Sequence, residues 1–178
     1  HPNNLDGIHG LIQVYRKKED FEQLNVMYSR MIRYHLDRND REAALYAYDS
    51  LLSEFPEDKV EVCIPARDWL VLCEFLREAE MIKEAAVEYE RLATTHPTDP
   101  VSMRACVQGG EAALLVGDTE RAMRLFQKGL AMNPVDAYRS RLQLGFEKCQ
   151  KRLSHRHGGG QQPKKSLNLS PETQKQKV

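Results

Sequence analysis

Apolar residues recur along most of this 178-residue chain at intervals of three and four, which is the spacing of one face of an α-helix. The period is clearest from Val116 to Pro134, where VGDTERAMRLFQKGLAMNP combines a turn, an amphipathic segment and a proline stop. No segment alternates apolar and polar residues as a half-buried β-strand does. The pattern therefore predicts an all-α protein.

Breaks in this period divide the chain into eight predicted helices and a tail. The helices are expected to begin near residues 3, 20, 40, 65, 81, 100, 118 and 135, and the last is expected to end near residue 153. From Ser154 the sequence has three consecutive glycines, few apolar residues, and five positive charges against one negative charge. Such a segment buries too little apolar surface to offset the entropy of ordering, so residues 154–178 are expected to be a disordered basic tail.

Composition and charge narrow the class of protein. The formal net charge is +0, which gives no overall positive field for nucleic acid. No apolar run approaches the ~18 residues of a membrane-spanning helix, so this segment is not expected to insert into a membrane. None of the cysteines has CxxC spacing, and we expect buried free thiols in the reducing cytoplasm, not disulfides or a zinc site. The four cysteines are Cys63, Cys73, Cys106 and Cys149.

Three sets of landmarks share one spacing, in which an aromatic residue follows an alanine by four positions and a proline follows the aromatic by eight. The alanine allows two helices to pack closely, the aromatic fills the space between helical hairpins, and the proline ends the helix. The spacing therefore predicts an array of similar hairpins. The landmarks are Ala44, Tyr48 and Pro56; Ala85, Tyr89 and Pro97; and Ala122, Phe126 and Pro134.

These landmarks resemble the tetratricopeptide repeat, in which W-x2-L-G-x2-Y precedes A-x3-F and a proline. In the second unit Trp69, Leu72 and Cys73 take the tryptophan, leucine and small positions, and in the third unit Gly110 takes the small position. The proline spacings of 41 and 37 residues depart from the usual ~34. The resemblance implies a right-handed superhelix over residues 1–153. It would comprise an N-terminal helix that is half of a preceding unit, hairpins at 22–56, 65–97 and 100–134, and a capping helix at 135–153.

In tetratricopeptide arrays the first helix of each pair lines a concave groove that binds peptides or partner helices, so the resemblance implies such a groove here. Its mixed charge and its arginines favour an acidic or polar segment, whereas the alternative is a set of merely solvated helix faces. The lysine–asparagine clamp that some family members use for chaperone C-termini is absent. The expected groove residues are Ser29, Arg30, Arg33, Arg67, Leu70, Glu74, Arg77, Arg104, Gln108 and Glu111.

Other candidate chemistry is weak. The sequence has no phosphate-binding loop, HExxH or GxSxG motif, so the chain is not expected to be an enzyme, and no cofactor is expected. His155 and His157 lie in a predicted tail without carboxylates or thiols, which is a poor metal site. Trp69 is interpreted as a core residue because of its place in the repeat. The basic end of the eighth helix, at Lys148 and Lys151, is interpreted as a solvated cap in preference to a membrane or nucleic-acid contact.

Two functional hypotheses follow. The first is a scaffold that binds a protein or peptide partner in the groove, with no prediction of oligomeric state. The second treats the chain as the soluble regulatory tail of a larger membrane protein. The run from Ala66 to Leu70 loosely resembles helical-repeat tails of bacterial rhomboid-type proteases, and a chain that begins with His1 instead of Met is expected to be a processed product or a piece of a longer protein.

Overall fold

A computed structural model describes residues 4–55 and 64–158, and within these residues all regular secondary structure is helical. The prediction of an all-α chain is therefore confirmed. Eight helices lie close to the predicted positions. They are α1 (Leu5–Lys18), α2 (Phe21–Leu36), α3 (Arg41–Glu54), α4 (Ala66–Glu78), α5 (Ile82–Thr95), α6 (Pro100–Leu115), α7 (Thr119–Ala131) and α8 (Asp136–Gly158).

Aspartate side chains begin four of the helices. The Asp40 carboxylate accepts a hydrogen bond from the backbone N–H of Ala43 at 3.2 Å and so caps α3, close to the predicted helix start near residue 40. Asp20, Asp99 and Asp118 cap α2, α6 and α7 in the same manner. Pro65 lies one position before α4, where no side chain caps the free N–H groups.

Four tight turns share one backbone form, in which a residue in the left-handed conformation precedes a hydrogen bond that closes the turn. The turn from α6 to α7 has Gly117 at φ 79°, and the Asp118 N–H donates to the Ala113 carbonyl at 2.9 Å. The turns from α2 to α3 and from α4 to α5 repeat this bond, and so does the turn from α1 to α2. Helices α1 and α2 are therefore joined by the same turn as the helices within the predicted hairpins, and the assignment of α1 to half of a preceding unit stays a prediction.

Each helix packs against the next one along the chain, and the even-numbered helices also contact one another in order, α2 with α4, α4 with α6 and α6 with α8. The backbones of the odd-numbered helices within 4–55 and 64–158 lie farther apart, and these helices meet through long side chains, for example in the ion pair between Arg121 of α7 and Glu90 of α5. The even-numbered helices therefore form one contiguous layer. A single cluster of buried side chains runs through the array, and its largest fully buried members are Trp69, Tyr89 and Phe126.

The landmarks of the predicted repeat lie in this core. All three alanines and all three aromatic residues are buried, as the spacing predicted. Phe126 lies between Gly110 of α6 and Gly145 of α8, and a Cβ atom at either glycine would overlap its ring. The ring therefore fills the space between the predicted hairpin of α6 and α7 and the following helix α8, as predicted for the aromatic position. Pro56 lies outside the described residues.

The C-terminal helix is longer than predicted. Helix α8 continues to Gly158, so residues 154–158 are helical and the expected tail begins too early by at least five positions. Its apolar stripe buries Leu142 and Cys149 against the array. Cys73, Cys106 and Cys149 are buried free thiols, and burial raises the pKa of Cys106 to about 11. Cys63 and residues 159–178 lie outside the described part of the chain.

Candidate partner-binding face

The residues predicted for the groove lie on three helices of the contiguous layer. Nine of the ten are wholly or partly exposed, and we call this set the even-helix face. It comprises Ser29, Arg30 and Arg33 on α2, Arg67, Glu74 and Arg77 on α4, and Arg104, Gln108 and Glu111 on α6. The tenth residue, Leu70, is only 5% exposed and belongs to the core, so the prediction that it faces a partner needs correction.

Ion pairs connect successive even-numbered helices across this face. Between α2 and α4, the Arg33 Nε lies 2.6 Å from Asp68 Oδ2, and between α4 and α6 Arg104 pairs with Glu74. Between α6 and α8, Arg141 donates to both oxygens of Glu111, at 2.7 and 2.8 Å. We call these three pairs the ion-pair ladder. The four predicted groove residues within it hold the array together, and their charges are already matched.

Two members of the ladder were missed from the sequence. Asp68 was not singled out because its position in the first turn of α4 resembles an ordinary helix-start acid. Burial raises the pKa of its carboxyl group, and the hydrogen bond from Arg33 offsets this effect only in part. Arg141 of α8 was not singled out either. Its partner Glu111 is 30 positions away, and no local pattern connects the two.

Three arginines of the even-helix face remain unmatched. Arg30, Arg67 and Arg77 are exposed and make no ion pair with any residue in 4–55 or 64–158. Arg67 and Arg77 stand near the two ends of α4, and Arg30 stands on the neighbouring α2. The face therefore presents guanidinium groups whose hydrogen-bonding capacity is free for an acceptor from outside this fold.

A cleft of about 420 Å³ opens where α1, α2 and the start of α4 meet. Ser29, Arg30 and Arg33 line it, so the structure brings together all three groove residues that were predicted on α2. Arg38, which was not predicted, also lines the cleft, and its guanidinium carbon lies 3.5 Å from the centre of the Tyr34 ring. We call this site the arginine cleft.

Gln108, unlike the arginines of this face, has a buried polar atom. Its side-chain oxygen is buried and has no hydrogen-bond partner among the described residues, and the same is true of the Tyr89 hydroxyl. Burial is also the main reason that the pKa of Tyr89 is raised. The Gln108 amide oxygen is therefore directed into the array and is not presented to a partner.

A buried polar cluster behind this face was also missed. Glu88 is 6% exposed, and its carboxylate accepts hydrogen bonds from Tyr48 Oη and from Trp69 Nε1, the latter at 3.1 Å. Arg91 adds a third donor at 3.0 Å. Trp69 is a core residue, as predicted. The sequence did contain a signal for this cluster, because Glu88 falls on the apolar stripe of α5, three positions after Ala85.

Neither a metal site, a membrane-spanning helix nor a known relative indicates a function for the described part of the chain. In the described part of the chain, no cluster of histidine, cysteine or acidic residues is arranged to hold a metal ion. No helix within 4–55 or 64–158 combines the length and the apolar character that crossing a membrane requires. No protein-family model matches the chain, and no curated protein matches it either. The candidate function therefore depends on the geometry of the even-helix face.

Proposed function

We propose that this chain is a protein-interaction module of the tetratricopeptide-like class, an α-solenoid that holds a partner peptide or helix along the even-helix face. The repeated tight turns and the buried landmarks support this class. Two clefts between odd-numbered helices, of about 330 Å³ beside α3 and α5 and about 290 Å³ beside α1 and α3, are consistent with an array that curves toward its even-numbered side.

The observation that carries the proposal is the contrast between matched and unmatched arginines on one surface. Arg33, Arg104 and Arg141 have carboxylate partners within the array, whereas Arg30, Arg67 and Arg77 have none. A planar guanidinium with several free N–H groups binds a carboxylate well, with two parallel hydrogen bonds. The partner is accordingly an acidic or polar segment that lies across α2 and α4.

The test reverses the unmatched charges and leaves the ion-pair ladder intact. In the variant Arg67→Glu/Arg77→Glu, recovery of bound proteins from an extract of the native cells should fall at least about tenfold, because two attractive contacts become repulsive. The control Lys17→Glu/Lys83→Glu changes the net charge equally on exposed positions of α1 and α5. Quantitative mass spectrometry measures recovery, and circular dichroism checks the fold.

Equal recovery by the wild type and the Arg67→Glu/Arg77→Glu variant would exclude the even-helix face as the binding surface. An equal loss in both double variants would assign the effect to net charge. Arg33 and Arg104 are left unchanged because reversing either would break an ion pair between helices, and a loss of binding would then report on packing.

A further inference from the structure

The arginine cleft carries one more positive than negative group. Three guanidinium groups line it, those of Arg30, Arg33 and Arg38, together with the carboxylates of Asp37 and Asp68. Arg33 is committed to Asp68. The two remaining arginines face only the exposed Asp37, so a single added carboxylate would balance the charge of the site.

Arg38 is held in place before any ligand arrives. Its guanidinium lies over the Tyr34 ring, and its Nη1 donates to the Tyr34 backbone carbonyl at 3.1 Å. The stacked guanidinium keeps other N–H groups free, and a side chain that is already ordered loses less entropy when it binds. Arg30 lies four positions before Tyr34 on α2, and Arg38 follows Tyr34 by four positions, in the turn just after the end of α2.

The remaining lining gives the cleft an apolar part. Val26 of α2 and Pro65 at the start of α4 contribute hydrocarbon surface above the buried Ile8 of α1, and the volume lies within the range of ordinary ligand pockets. A charged group alone would leave this surface uncovered. The lining therefore suits an acidic group that has an apolar residue next to it.

We propose that the arginine cleft is the specificity pocket of the module, where Arg30 and Arg38 bind a carboxylate of the partner segment and an adjacent apolar side chain contacts Val26 and Pro65. This inference rests on the proposed function and names the chemistry that the bound segment must carry. A carboxylate fits better than a phosphate, because Asp37 and Asp68 would repel a group of charge near −2.

The experiment titrates the full chain, labelled with ¹⁵N, with synthetic peptides while the arginine Nε–H signals are recorded by NMR. The first peptide is amidated Gly-Ser-Leu-Glu-Leu-Ser-Gly, and the second carries Gln in place of Glu. A third, Gly-Ser-Gly-Ser-Gly-Leu-Leu with a free C-terminus, separates a terminal carboxylate from a side-chain carboxylate. A fourth carries phosphoserine in place of Glu.

The Glu peptide should shift the signals of Arg30 and Arg38 and bind at least about tenfold more tightly than the Gln peptide, since only the carboxylate pairs with the guanidinium groups. Tighter binding of the free-C-terminus peptide would identify a terminal carboxylate as the source of the same chemistry. Arg38→Gln and Tyr34→Leu should each weaken Glu-peptide binding, whereas the control Lys83→Gln, at an exposed position of α5 outside the cleft, should leave it unchanged.

Equal affinity for the Glu and Gln peptides would overturn the proposal, and so would tighter binding of the phosphoserine peptide or shifts confined to Arg67 and Arg77. These outcomes leave the proposed function standing if partner recovery still depends on Arg67 and Arg77. If recovery is insensitive to those two residues as well, both proposals fail together.

Discussion

A single carboxylate connects three helices in the middle of this protein. Glu88 of α5 accepts hydrogen bonds from Tyr48 of α3 and Trp69 of α4, so it joins two successive hairpins behind the even-helix face. Burial is the main cause of the raised pKa of Tyr48, and the neighbouring Glu88 charge adds to it. The cluster places polar groups in a site that would otherwise be apolar, and its energy depends on every donor keeping an acceptor.

The variant Glu88→Ala should lower the free energy of unfolding by about 2–4 kcal/mol, because it leaves the Tyr48 hydroxyl and the Trp69 N–H buried without an acceptor. Glu88→Gln retains one side-chain oxygen and should cost less. Glu84→Ala, an exposed acid one turn earlier on α5, should change stability by no more than about 0.5 kcal/mol. Urea denaturation followed by circular dichroism measures all three. A loss for Glu88→Ala as small as that for Glu84→Ala would contradict the role of the cluster.

The buried side chains could be predicted from the sequence better than the ion pairs between charged side chains. Trp69 and Phe126 were placed in the core because burial follows helical period, which is a local property. The pairing of Arg33 with Asp68 joins residues 35 positions apart. It depends on how two helices lie beside each other, which the period of either helix does not determine. The candidate face was therefore predicted as a set of residues, but the division into matched and unmatched arginines required the structure.

The helices pack closely where glycine replaces a side chain on the facing helix. The ring of Phe126 occupies the space that Cβ atoms at Gly110 and Gly145 would fill, so α7 is held tightly between α6 and α8. Gly10 of α1 is the opposite case, because a Cβ atom there would meet no atom within 4 Å. The absence of a side chain is therefore required for close packing at Gly145 but not at Gly10.

Gly145→Ala should destabilise the protein by about 1–3 kcal/mol, because the added methyl group collides with an aromatic ring that has no free space. Gly10→Ala should stabilise it by about 0.5–1 kcal/mol, since alanine is the better helix former and nothing opposes the methyl group. Thermal or urea unfolding of the two matched variants measures the difference. Similar effects of the two substitutions would contradict the close contact between α7 and α8.

The helices themselves could be predicted almost completely, and their ends less well. Asp40 and Asp118 gave clear start signals, and Gly117 marked a turn, because each has a direct physical role at a helix boundary. Glu19 and Glu80 occupy the same left-handed turn position without being glycine, so no glycine marks the position of those two turns. The end of α8 was placed too early because Ser154 was grouped with the glycine-rich stretch that follows it.

The described part of the molecule is organised by contacts between neighbouring helices. Helix α8 contacts α6 and α7, while α1 and α2 lie at the other end of the chain of contacts. In such an array each unit is stabilised mainly by its neighbours, so damage at one end is expected to remain local. The prediction that α8 serves as a cap concerns the whole molecule, because a capping helix acts by stabilising the helices that it covers.

The variant Leu142→Ala tests this organisation. Leu142 is fully buried and lies against Gly129 of α7, so removing its side chain should cost about 2–4 kcal/mol of packing at the C-terminal end. Amide hydrogen exchange measured by mass spectrometry should show lost protection in α6, α7 and α8, with protection in α1 and α2 unchanged. Leu144→Ala is the matched control, because Leu144 is on the same helix and is 55% exposed. A uniform loss of protection along the whole chain would mean that it unfolds as one cooperative unit, and the nearest-neighbour account would be wrong.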